Sequence, residues 1–191
     1  MKSMQGLRKE SLKYASNLWG ISDARWANIW SNVQPLLNND PTNLNVETQQ
    51  FKGLKALLGR PWFKRVWILQ EVANARAAIV VCGTHSVSAR IFAVMPFLLG
   101  IKLDPHCQAV LDILPGASRR ESWFHQKRDL RTLLVRFNNS EATDPRDKIF
   151  ALLGISSDAC DARFLQADNS KSEEEVIQCT ISFLLSFHKL G

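Results

Sequence analysis

The chain has 191 residues, an apolar fraction of 46%, a charged fraction of 22% and a formal net charge of +6. That composition suits one globular domain with room for a small second one. The 24 basic residues are interspersed with 18 acidic ones, as in Arg119-Arg120-Glu121, which describes a solvated mixed surface and excludes a continuous nucleic-acid footprint. No apolar run is long enough to span a bilayer. Residues 1–6 hold no hydrophobic signal region, so a soluble cytoplasmic protein is expected. Cys82, Cys107, Cys160 and Cys179 form no C-x-x-C pair and are expected to be free thiols. Six tryptophans stand against one tyrosine, and core packing is their ordinary use.

Leu12, Leu18 and Ile21 precede a helical spacing at Trp26, Ile29, Trp30, Val33, Leu36 and Leu37, with Pro35 bending or ending the helix. Asn38 to Asn43 is a turn-rich linker. Phe51, Leu54, Leu57 and Leu58 restore the helical period over 46–58, and Gly59 offers a C-cap. Pro61 suits the first turn of the next helix. On it Phe63, Val66, Trp67 and Gln70 share a face, as do Trp67 and Glu71. Residues 77–83 form the one convincing strand, with its sheet partners expected upstream. Residues 88–101 suit a helix broken at Pro96, and 102–122 read as irregular. Leu130, Leu133, Leu134 and Phe137 make a helical stripe. Asp144 is placed to cap a helix opening at Pro145, with Asp147 at its third position and Gly154 at its end. Ser172 to Glu175 reads as a capping box before a last helix with Val176, Ile177, Ile181, Leu184 and Leu185 inward. The expected fold class is mostly α with a minor β component.

Residues 60–74 are the most informative stretch. Trp62 and Trp67 lie five apart with Lys64 and Arg65 between them, and Gln70 and Glu71 come next. Indole rings favour a core, while Arg65 and Glu71 need water or partners, so the segment marks a functional site or a tightly specified joint. Arg60, Trp62, Phe63, Arg65, Trp67, Gln70 and Glu71 resemble the closing R-x-W-F-x-R-x-W-x-x-Q-E motif of the fungal heterokaryon incompatibility (HET) domain. Asp144, Pro145, Arg146, Asp147 and Lys148, running on to Gly154, are similar to the A-x-D-P-R-D-K segment that often follows such domains. Residues 167–176 are more weakly similar to the D-Y-S-K-S-x-E-E-V start of the next helix, with Asn169 where tyrosine is usual. The opening L-S-Y-x-W-G and D-A-x-C-I-N-Q blocks of that family are not found. The resemblance implies a truncated C-terminal remnant of a TIR-like α/β HET domain at 1–76, followed by a mainly helical region at 77–191.

The resemblance also implies a role in fungal non-self recognition, vegetative incompatibility and programmed cell death. Protein partners are implied: other HET or incompatibility proteins, or self-association. HET domains are remotely similar to TIR domains, some of which cleave NAD with a glutamate four residues after a tryptophan. Trp67 and Glu71 match that spacing, so Glu71 is the candidate catalytic carboxylate. The alternative is a structural Glu71 that pairs with Arg65 or Arg60 or caps a neighbouring loop. No cofactor is expected, and NAD enters only as a substrate if the missing upstream half completes the domain. On its own the chain is not expected to be an enzyme. A non-enzymatic interaction module that modulates a complete HET protein is the competing role. Capping explains Asp144 and Asp147 better than metal or phosphate binding. His85 reads as a loop residue, and the adjacent His106 and Cys107 are poorly placed to share a metal, so no metal site is expected.

Overall fold

The computed structural model describes residues 23–38, 46–159 and 165–187, together with residues 4, 5, 9, 19, 20 and 162. Leu12, Leu18, Ile21, Cys160 and residues 39–43 of the expected linker lie outside the described residues. The described part is mostly helical, with one two-stranded sheet. In chain order it holds α1 (Ala24–Asn38), α2 (Val46–Leu58), a 3-10 turn (Pro61–Lys64), α3 (Ile68–Asn74), β1 (Ile79–Cys82), β2 (His85–Ser88) and α4 (Ala89–Leu98). Next come α5 (Pro105–Asp112), α6 (Ala117–Glu121), α7 (Trp123–Gln126), α8 (Leu130–Arg136), α9 (Asp147–Leu153) and α10 (Glu173–Phe187). Among the described residues no helix is long and apolar enough to cross a membrane.

The central element is α4. Ala89 and Ile91 through Pro96 are all buried, so this helix is apolar nearly all round, as a core helix must be. The hairpin, α1 and α6 pack on it. The expected break at Pro96 does not occur; the helix runs on to Leu98. It stops at Gly100, whose φ of +61° disfavours any side chain. There the Gly100 N–H bonds to the Phe97 carbonyl and the Ile101 N–H to the Pro96 carbonyl, which closes a Schellman motif. Likewise α1 continues past position 35 to Asn38. Trp26, fully buried, donates its indole N–H to the Gly20 carbonyl at 2.8 Å.

The strand expected over 77–83 forms as β1, but its partner is not upstream. It pairs antiparallel with β2, Ile79 opposite Ser88 and Cys82 opposite His85. Gly83, with φ of +59°, and Thr84 make a two-residue turn with glycine first, which favours a tight hairpin. His85 is thus a strand residue rather than a loop residue. The stretch 102–122 is also more ordered than expected. Asp104 accepts from the Cys107 N–H at 2.9 Å and Pro105 opens α5, a pairing of N-cap and first-turn proline that favours a helix start.

Leu130, Leu133 and Phe137 are buried as the stripe predicts. The capping box forms: the Ser172 N–H bonds to the Glu175 carboxylate and the Glu175 N–H to the Ser172 hydroxyl. However, α10 docks through Val176, Thr180 and Phe183, while Ile177, Ile181 and Leu185 stay exposed. Its apolar arc is wider than the surface that receives it.

Arg119 ties α3 in place. Its guanidinium donates to the carbonyls of Val72 at 2.6 Å and of Ala73, Ala75 and Ile113 at 2.8–3.0 Å. Three of those carbonyls lie at the C-terminal end of α3, where orphan acceptors gather and a cation is favoured. Burial pushes the Arg119 pKa down, and the four carbonyls supply acceptors in place of the lost water. Replacing Arg119 by Met is expected to cost about 3 kcal/mol in urea denaturation, because several partly buried carbonyls lose their donor. Arg119→Lys is expected to recover less than half of that, since a point charge cannot reproduce the fork.

Candidate functional site

The first family-like segment is not one helix. Residues 61–64 form the 3-10 turn, Arg65 is extended at φ −66° and ψ 128°, and α3 begins only at Ile68. The break has a cause. At Arg65 the chain pairs in parallel with Glu141, the Val66 N–H donating to the Glu141 carbonyl at 3.0 Å and the Glu141 N–H to the Lys64 carbonyl at 2.6 Å. A continuous helix would have used those groups internally. The exposed Lys64–Glu141 ion pair at 3.3 Å adds little.

From that bridge two side chains reach the second segment. Trp67 donates its indole N–H to Asp147 Oδ2 at 3.0 Å, and Gln70 Nε2 donates to the Phe150 carbonyl at 3.3 Å. Gly154 lies against Gln70, so that a Cβ there would fall 2.6 Å from Gln70 Nε2. On the other side, buried His106 donates from Nε2 to the Phe63 carbonyl at 3.1 Å, because a carbonyl can only accept. Its Nδ1 then stands without a partner among the described residues. The contacts Trp67–Asp147, Gln70–Phe150 and Arg119–Ala73 all cross position 76.

The second segment in turn grips the third. Asp144 accepts from the Arg146 N–H at 3.0 Å and pairs with its guanidinium at 2.6 Å. The same guanidinium donates to the carbonyls of Asn169 at 3.0 Å and Lys171 at 2.6 Å. The helix here opens at Asp147 and not at Pro145, because Asp144 turns the chain through Arg146 first. Asp147 is thereby the first helical residue, its carboxylate at the positive helix end and shared with Trp67. Lys148 is exposed.

The candidate catalytic pair is placed differently from its expectation. Trp67 sits just before α3 and is 39% exposed; Glu71 is exposed in the first turn. Among the described residues the Glu71 carboxylate has no hydrogen bond or ion pair, so it is paired with neither Arg60 nor Arg65. Arg60 and Trp62 are exposed, and Phe63 is buried in the core. His106 and Cys107 are core residues of α5, and burial, with Asp104 nearby, pushes the Cys107 thiol up to about 11. The chain matches no protein-family model, no curated protein and no solved structure.

Sequence reasoning missed the roles of Arg119 and His106. Neither carries a local pattern, since all their partners but Ile113 lie 43–47 residues away in the chain. The Asp104-Pro105 start of α5, which carries His106, was the available signal.

Gly154 has helical φ of −68°, so alanine fits its backbone but displaces Gln70. Gly154→Ala is expected to cost about 1 kcal/mol, the worth of one hydrogen bond, and to cost nothing in a Gln70→Ala background. The Arg146 guanidinium and amide hold Asp144 below the usual carboxylate range, and the Ser172 amide does the same for Glu175. A carboxylate depressed in the fold contributes stability above its unfolded pKa of about 4 and loses it as pH falls through the folded value. The melting temperature is therefore expected to drop as pH falls below about 4, and to drop less in Asp144→Asn.

Proposed function

We propose that this chain is the C-terminal part of a HET-type domain with its following helices, acting in fungal non-self recognition by protein contact in the cytoplasm. One observation supports the resemblance most. The three segments that look like HET motifs, scattered over residues 60–176, close on one another through Trp67–Asp147, Gln70–Phe150 and Arg146–Asn169. Unrelated look-alike segments have no reason to share a single joint. On this reading the engaged motif residues serve architecture, and Asp144 and Asp147 act as turn and helix-start residues.

Contact is favoured over NAD cleavage by the placing of Glu71. Ribose chemistry needs a carboxylate inside a water-excluding cleft with groups to hold the nucleotide. Glu71 stands on the exposed side of α3, and none of the clefts beside α2 or β1 includes it in its lining.

Purified chain is expected to consume no more NAD than its Glu71→Gln variant. Turnover abolished by Glu71→Gln would overturn the contact role in favour of a TIR-like hydrolase. Co-expression with a complete HET protein in a fungal host is expected to change the extent of cell death. The Trp67→Ala/Asp147→Ala variant, with the joint opened, is expected to lose that effect. An effect of equal size from both would sink the family assignment.

A further inference from the structure

The joint engages Phe63, Trp67 and Gln70 but leaves outside it Arg60 and Trp62, whose indole stands edge-on to Phe63. Both are exposed, and both line a groove of about 350 Å³ with Ile79, Val80 and Val81, over Val72 and Phe92. The groove lies against an edge strand. The Ala89 N–H donates to the Ala78 carbonyl at 2.9 Å, and Val80 and Cys82 stand opposite Val87 and His85. In an antiparallel ladder closed by a two-residue turn, positions 78, 80 and 82 therefore exchange bonds with β2. The N–H and C=O groups of Ile79 and Val81 point the other way, and no backbone group among the described residues meets them. The two residues are 69% and 68% exposed. An open β-branched edge with no Lys or Pro within it is a template for another strand.

We propose that this groove takes an extended segment of a partner protein, acidic and apolar by turns, as a third strand on β1. Ile79 and Val81 supply the main-chain bonds, and alternate apolar side chains of the segment fill the groove. Arg60 selects the charge. It lines the groove and forms no ion pair among the described residues, so a carboxylate on the segment completes it. Exposed Arg76 stands three residues before β1 and adds a second cation to this stretch of chain. These arginines also disfavour a second copy as the occupant: antiparallel pairing of β1 with itself brings like charges together and no acid to meet them. The inference rests on the contact role and not on the family resemblance.

The probe is a fluorescein-labelled hexapeptide of alternating Glu and Val, titrated against the whole chain by fluorescence anisotropy, with a Lys–Val counterpart. Saturable binding is expected for the acidic peptide only. Val81→Pro removes an outward N–H and leaves the ladder to β2 intact, so it should weaken binding by about tenfold or more. Arg60→Glu should reverse the preference between the two peptides. Circular dichroism of both variants checks that they remain folded. A flat titration, binding indifferent to Val81→Pro, or a dimer that Val81→Pro dissolves while the peptide fails to bind would each overturn the proposal. The NAD assay answers separately for the contact role, so the two failures are distinguishable.

Discussion

The backbone exchange between Lys64–Val66 and Glu141 is the constraint on which the described fold depends. Two chain segments far apart in sequence surrender their local hydrogen bonding to each other. That exchange stops the 3-10 turn, holds Arg65 extended and sets where α3 begins. It also brings Trp67 within reach of Asp147 and Gln70 within reach of Phe150. Phe63, fixed just upstream, presents its carbonyl to His106 and so locates α5. Arg119 then closes the far end of α3. A short helix of seven residues has little stability of its own, and these clasps at both ends hold it in place.

Two half-buried arginines, Arg119 and Arg146, serve main-chain carbonyl groups. Arg119 forks across main-chain carbonyls from two segments, and Arg146 holds two carbonyls of the segment before α10 while pairing with Asp144. A planar guanidinium suits that task, because several donors leave one rigid group. The consequence is a fold joined by directional polar contacts at its margins and by apolar packing around α4 at its centre. Such contacts demand close geometry, which Trp67, Gln70 and Arg146 supply.

The same division separates structural from available residues. Within one motif Phe63, Trp67 and Gln70 are engaged, whereas Arg60, Trp62 and Glu71 face solvent. The hairpin lies beside the exposed Arg60 and Trp62 and carries an open edge with two exposed apolar side chains. A protein surface that combines unpaired main chain, aromatic area and an available cation has the ingredients of strand addition.

Local chemistry was legible in the sequence wherever the partner was near in the chain. The capping box at Ser172–Glu175, the stripe from Leu130 to Phe137, the helix over 46–58 and the strand at 79–82 all come from spacing and turn residues. The mostly helical class rests on the same periodicities. Features that only the tertiary structure decided have their partners far away. A parallel bridge at Arg65 overrode helical periodicity because a backbone can satisfy its hydrogen bonds with any segment that reaches it, and sequence distance leaves no trace of which. The apolar arc of α10 was visible, but which part of it is buried depends on the shape of the receiving surface. Glu71 matched a catalytic spacing, yet spacing sets only neighbours along a helix; whether a carboxylate meets a cleft or open water is decided by what else folds against it.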